Sequence, residues 1–315
     1  MPSTLRTERD GRVMIVRFDN PPHNFLNREV VGELEELTRS LEGDRSIGSV
    51  VITGARDGLF ITHYDVGEIL AGSESMDMEV APAVAGATLR AVGGLSRVPA
   101  GRAVVGRSPA KGVLELRAFH DMFLRWNRMD KVFVAAINGP AMGGGCELSL
   151  ACDLRYMAAE SPGIGQPEVL VGFPPGGGGT QRLTRVVGAG RALEIMLEGN
   201  AVSPERALEI GLVNAVFPSN ELLTEATATA ARLARRAPES IEGLKRDVLE
   251  GSRLPLPDGL ALERKWFLST ASRPGARRAM RAYVDEVATT GTPPFADSER
   301  LRPWHDGTAV DIVGD

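Results

Sequence analysis

The chain has 315 residues, 43% of them hydrophobic and 24% charged, the balance of a folded globular protein long enough to bury a substantial core. Its formal net charge of −5 provides no global basic field, which argues against nucleic acid or an anionic membrane as a partner. No window reaches the length of a transmembrane span, and the start, "MPSTLRTERDGRV", lacks the apolar centre of an export signal.

In chain order, "GRVMIVRF" (11–18) alternates apolar residues and predicts a strand. After the turn-like "DNPPHN", "REVVGELEELTRSLE" carries apolar residues at helical spacing. "SVVIT" (49–53) predicts a short buried strand ending at Gly54. Residues 71–115, rich in Gly, Ala, Val and Pro with weak periodicity, have the character of an insertion. From Val80 to Leu114 there is no acidic residue, while Arg90, Arg97, Arg102, Arg107 and Lys111 are basic; the run reads either as a flexible surface loop with a chance charge bias or as a mobile flap near a bound anion. "VFVAAIN" (132–138) predicts another strand, and a helix starting near Gly143 leads into the short strand "CDLRYMA". "RALEIML", "SPERALEIG", "NELLTEATATAARLARR" and residues 258–288 predict helices. Strands alternating with helices, followed by helices alone, indicate an α/β core over residues 1–210 and a helical region over 211–289. An irregular tail is expected over 290–315.

The only two cysteines, Cys146 and Cys152, stand six apart and form neither a disulfide framework nor a zinc pattern. A reducing, cytoplasmic setting and no metal site are the expectations. His120 and His305 lie in ordinary polar surroundings and read as surface residues.

Two stretches carry chemistry. In "AMGGGCELSLACD" (141–153), three glycines precede an apolar segment whose early charge is Glu147. Glycines at a helix start let an anionic or polarised oxygen approach unpaired N–H groups without meeting a Cβ. Close helix packing, with Glu147 favoured in a first helical turn, explains the stretch equally well. In "GIGQPEVLVGFPPGGGGTQRL", Glu168 follows Pro167 in an apolar, glycine-rich context. Two such carboxylates can share a proton, because burial and mutual repulsion raise one pKa. At 21 positions apart they cannot lie on one helix face, so only the fold can bring them together.

With these segments in view, the chain resembles the crotonase (enoyl-CoA hydratase/isomerase) superfamily. "AAINGPAMGGGCELSLACDLRYMA" and "GQPEVLVGFPPGGGGTQRLTRVVG" are similar to its two central signatures. "VVITGARDGLFITHYDVGEI" is similar to the segment carrying the first oxyanion-hole amide, and "SPERALEIGLVNAVFP" to a later one. The resemblance implies a spiral of ββα turns with a helical C-terminal region that builds trimers or dimers of trimers. It implies that the Tyr64 and Gly144 amides stabilise a CoA-thioester enolate, and that Glu147 and Glu168 are the catalytic pair. The implied reaction is syn addition of water to a trans-2-enoyl-CoA, a step of fatty acid metabolism. No cofactor is implied beyond the coenzyme A carried by the acyl-CoA substrate, and no nucleic-acid partner. His23, Asn24, Phe25 and Leu26, with Ile61, His63, Asp65 and Gly143, are the candidate substrate contacts. The alternatives are an isomerase or dehydratase of an unusual acyl-CoA, or a catalytically silent CoA-binding subunit.

The sequence departs from the pattern twice. His63 and Tyr64 stand where the family carries small residues, and the 80 positions between Tyr64 and Gly144 are about twice the usual gap, which marks 71–115 as the insertion.

Overall fold

The structure is a computed structural model that describes residues 3–75, 79–108 and 111–313; the side chain of Arg102 lies outside the described residues. Strands β1 (Leu5–Asp10) and β2 (Val13–Phe18) form an antiparallel hairpin turned at Gly11, whose φ of +55° suits glycine. Helix α1 (Arg28–Leu41) starts at Asn27, whose side chain accepts a hydrogen bond from the Val30 N–H at 2.9 Å. Strand β3 (Ser49–Gly54) follows, then helices α2 (Val66–Glu74), α3 (Pro82–Leu95), α4 (Pro99–Gly106) and α5 (Lys111–Trp126). Next come strand β4 (Val132–Ile137), the two-residue strand β5 (Ala141–Met142), helix α6 (Gly144–Ala151), and strands β6 (Leu154–Ala158) and β7 (Ile164–Gly165). Helices α7 (Gly179–Val187), α8 (Ala189–Glu198) and α9 (Pro204–Glu209) lead to strand β8 (Ala215–Phe217). The chain closes with α10 (Ser219–Leu233), α11 (Pro238–Leu249), α12 (Leu256–Ala271), α13 (Pro274–Thr290) and α14 (Ser298–His305).

The main sheet runs β1-β2-β3-β4-β6-β8, antiparallel at its first pair and parallel thereafter; β5 and β7 form a small parallel pair beside it. Both faces of the sheet are covered, which is why β3 and β4 are apolar without alternation and wholly buried. Val132, Val134 and Ala136 face α10 with Val13, Ile15 and Val51, while Phe133, Ala135 and Ile137 face the larger core with Val16, Phe18 and Ile52. Because β8 joins this sheet and α10 packs across it, the region after residue 210 contributes more than helices.

One buried ion pair ties the C-terminal helices to that core. Lys245 of α11 uses all three Nζ protons, donating to the carbonyls of Trp126 (2.7 Å) and Lys131 (2.7 Å) and to Asp153 Oδ2 (2.8 Å). The same Asp153 oxygen accepts the Phe133 N–H at 2.8 Å. Burial pushes the Asp153 carboxyl above its ordinary pKa, and the Lys245 charge opposes that rise.

Two segments differ from the sequence expectation. Within residues 82–106 stand two helices, α3 and α4, each with proline in its first turn, where pattern alone gives an insertion with weak periodicity. The periodicity is weak because α3 buries Val92 and α4 buries Val105 while most of their other apolar side chains stay exposed. The tail is not wholly irregular either: α14 is capped by Asp297, whose side chain accepts from the Glu299 N–H (2.9 Å) and the Arg300 N–H (3.2 Å). Among the described residues, no helix is long and apolar enough to cross a membrane.

Candidate active site

Helix α6 is buried along its whole length, and its glycines have separate duties. Gly143 has φ of +48°, and a Cβ there would lie 2.8 Å from Glu168 Oε1. A Cβ on Gly145 would lie 1.9 Å from the Ile61 carbonyl oxygen, so only glycine lets the helix pack this closely on the 60–65 segment. A Cβ on Gly144 would lie 3.1 Å from the Tyr64 nitrogen and 3.3 Å from Leu26 Cδ1. Close packing, one of the two alternatives at the level of sequence, is therefore at work here.

The orientation of the Tyr64 N–H follows from its neighbours. Leu26 N donates to the His63 carbonyl at 2.9 Å, and Asp65 N donates to the Leu26 carbonyl at 2.7 Å. In a trans peptide the N–H points opposite the C=O, so the 63–64 peptide that gives its oxygen to Leu26 turns the Tyr64 N–H the other way. Gly144, in the first turn of α6, has no intrahelical acceptor for its own N–H. Among the described residues, neither N–H meets a protein acceptor. Two adjacent, unpaired donors are the equipment of an oxyanion hole.

Glu147 is 4% exposed, and its Oε1 accepts the N–H groups of Gly177 (2.7 Å) and Gly179 (2.9 Å). Burial raises its pKa, with those two N–H groups and the nearby His120 and Arg182 pulling the other way. The glycine run is thus a carboxylate cradle: a Cβ on Gly177 would lie 2.2 Å from Glu147 Oε2. From α5, His120 reaches the Gly176 carbonyl at 2.7 Å and braces that loop, so it is not the plain surface residue expected from sequence.

Glu168 opens a short 3₁₀ turn (Glu168–Val171) and is half-buried. Desolvation, reinforced by the Glu147 charge, raises its pKa to about 7. Gln166, wholly buried beside Gly179, turns its amide nitrogen to both Glu168 oxygens, at 3.0 and 3.1 Å, in the orientation its hydrogen-bonding surroundings require. Glu147, Gly179, Gln166, Glu168 and Gly143 thus form one contiguous chain of contacts. Gln166, Gly177 and Gly179 were not singled out in sequence, because their contribution depends on tertiary placement.

The other candidates divide into distinct environments. Rings of His23, Phe25 and His63 stack in series, with centroids 5.0 and 4.3 Å apart, and His63 Nδ1 lies 2.7 Å from the Tyr64 carbonyl oxygen. Asn24 is buried with φ of +57°; its amide donates to the Phe18 and Phe60 carbonyls at 3.1 and 2.6 Å and its oxygen accepts the Asn20 N–H at 2.7 Å. That side chain is committed to the fold. Leu26 and Ile61 are buried walls behind Gly144 and Gly145. Asp65 caps α2 by accepting the Gly67 N–H at 2.8 Å. Cys146, next to Glu147, and Cys152 are buried free thiols, and burial pushes both pKa values up, that of Cys152 to about 12.

A family model described as enoyl-CoA hydratase/isomerase matches residues 8–114 and 101–295. The chain belongs to this family, within the crotonase superfamily. A probable mitochondrial enoyl-CoA hydratase of Dictyostelium discoideum is 31% identical over 291 residues, spanning 91% of this chain and 90% of that protein. The short-chain-enoyl-CoA hydratase of Clostridium acetobutylicum is 30% identical, covering 90% and 95% of the two chains. Among solved structures, the Pseudomonas aeruginosa protein DspI superposes with a TM-score of 0.72 at 28% identity, over 90% of this chain and 94% of that one. An enoyl-CoA hydratase from Bacillus anthracis, at 24% identity and a TM-score of 0.73 over 90% and 96% of the chains, shares the fold. The crotonase fold, with its helical C-terminal region, is the architecture of this family member.

Proposed function

We propose that this chain is an enoyl-CoA hydratase that adds water across the double bond of a trans-2-enoyl-CoA. The observation that carries this reading is a pair of carboxyl groups, Glu147 and Glu168, set beside two free N–H groups on Tyr64 and Gly144. The thioester oxygen accepts from those two N–H groups and gains charge as the enolate forms. Aimed donors in a water-poor site stabilise such a charge by several kcal/mol. Glu147, held by two N–H groups that favour its charged form, orients and deprotonates the water. Glu168, whose pKa is raised to about 7, carries the proton given to the α-carbon. No cofactor is needed beyond the coenzyme A that the substrate carries, and the buried free thiols favour a reducing compartment.

The test is turnover on enoyl-CoA thioesters of graded length and branching, with the stereochemistry of deuterium addition read by NMR. Syn addition is expected, and absence of turnover across the series overturns the reading. Its pH dependence follows from the shared proton. With one proton on the pair, hydration needs it on Glu168 and the reverse reaction needs it on Glu147, so both directions follow one bell-shaped profile of kcat/KM. Rate is lost as pH rises through about 7, when Glu168 gives up that proton, and on the acid side as Glu147 takes up a second one.

The same reading includes a homotrimer or dimer of trimers. Helix α12 buries none of its side chains within the chain, and Leu256 (75%), Phe267 (67%) and Leu268 (67%) are exposed together with Met280 and Val284 of α13. Light scattering at micromolar concentration is expected to give the mass of three or six chains. A monomer mass would contradict it.

A further inference from the structure

A large ring stands on Tyr64, the residue whose N–H must hold the enolate, in a segment whose backbone is tied to Leu26 and, through the Thr62 carbonyl, to Met142. The ring is not loose. Its hydroxyl donates to Glu68 Oε2 at 3.0 Å. Glu68, on α2, also accepts the backbone N–H of Arg28, the first residue of α1, with N···O distances of 3.1 and 3.4 Å. A carboxylate at a helix N-terminus is held there by the unpaired N–H groups and the dipole. The Arg28 guanidinium in turn donates to Glu115 Oε2 of α5 at 3.0 Å, and Lys111 Nζ lies 3.2 Å from the other Glu115 oxygen. One polar chain thus ties the Tyr64 ring to three helices.

We propose that Glu68 is a positioning residue for the Tyr64 amide: by holding the phenol it fixes where the Tyr64 N–H stands beside Gly144 and keeps the ring on the α1–α2–α5 side of the loop. The inference rests on the hydratase reading for the role of that N–H. Glu68, Arg28 and Glu115 are the charged groups gathered about the Tyr64 hydroxyl, and its hydrogen bond to Glu68 places the ring in this cluster. Burial and the Glu68 contact keep the phenol protonated, so it remains a donor throughout the working pH range. Each pair in the chain is partly exposed, and such contacts contribute little stability individually. Their value here is directional. A donor misplaced by a fraction of an ångström loses much of its hold on a developing charge while still binding the uncharged thioester. The arrangement also gives the insertion a connection to the chemistry, since Lys111 and Glu115 lie at its C-terminal end, in the first turns of α5.

The experiment compares Tyr64→Phe, Glu68→Ala and Glu68→Gln with the parent protein, using two probes besides turnover. Acetoacetyl-CoA, a β-ketoacyl thioester whose enolate absorbs in the near ultraviolet, reports charge stabilisation at the two amides. Butyryl-CoA, which is saturated, reports binding of the uncharged thioester. In Tyr64→Phe and Glu68→Ala, kcat and the bound-enolate absorbance are expected to fall about tenfold, with KM and butyryl-CoA affinity within about twofold of the parent. Glu68→Gln, which still accepts from the phenol, should recover most of both signals. Unchanged kcat and enolate absorbance in Tyr64→Phe and Glu68→Ala would overturn the proposal. So would equal losses of butyryl-CoA and enolate binding, which is the mark of a merely structural role. The enolate signal requires neither glutamate of the catalytic pair, so loss of the hydration reading and loss of this inference are separately visible.

Discussion

Replacing Glu147 or Glu168 by Gln is expected to lower the rate of hydration by about 100-fold or more in each case, with the fold intact. The substitution keeps shape and volume, so it isolates the proton. At position 147 the amide oxygen can still accept from Gly177 and Gly179, but it can no longer draw a proton from water. At position 168 the change removes the group whose pKa sits near 7 and with it the alkaline limb of the pH profile. Loss of absorbance of the enoyl thioester measures the rate, and circular dichroism verifies the fold. Should only one of the two variants lose activity, double-bond isomerisation, which can run on a single shuttling carboxylate, becomes the better account. Near-normal hydration in both would remove the pair from the mechanism.

Lys245→Ala is expected to cost about 3–5 kcal/mol of unfolding free energy, read from the midpoint of a urea or guanidinium titration at pH 7. The loss exceeds that of a surface ion pair because Asp153 would be left charged and buried, and the Trp126 and Lys131 carbonyls would lose their donor. A second variant tests the cause. Lys245→Met combined with Asp153→Asn removes both charges yet lets the residue at 153 accept from the Phe133 N–H, and it should recover much of the loss. If the single change costs less than about 1 kcal/mol, the cluster is solvated and the argument fails.

The elements legible in the sequence are those whose burial is regular. β2 through β4, α1, the glycine-led α6 and α10 announce themselves because one face, or the whole segment, must be apolar. β1 does not, since five of its six residues are exposed and only Leu5 reaches the core beside β2. α3 and α4 hide for a related reason: each buries a single valine, too little to set a period. Within the site, Glu147 and Glu168 stand out as carboxylates in apolar, glycine-rich stretches, but their role as a catalytic pair and the choice of Tyr64 and Gly144 come from resemblance to a family, not from spacing. Their supports are less visible. The N–H groups of Gly177 and Gly179 that hold Glu147, and the His120 contact behind them, involve backbone atoms that carry no side-chain signature. Gln166 is one amide in an apolar stretch, and only its position between Gly179 and Glu168 gives it meaning.

The two thiols have a practical consequence. Cys146 and Cys152 are sealed from solvent and kept in the protonated, unreactive form, so maleimides, iodoacetamide and peroxide have little thiolate to attack in the folded protein. A single cysteine engineered on an exposed helix position, for example at Glu36 of α1 or Thr224 of α10, can therefore carry a fluorophore or spin label without first stripping out the native pair. Motion of the labelled helix becomes observable in the otherwise unaltered protein. Quantitative release of the two native thiols to such reagents would then serve as a clock for global unfolding.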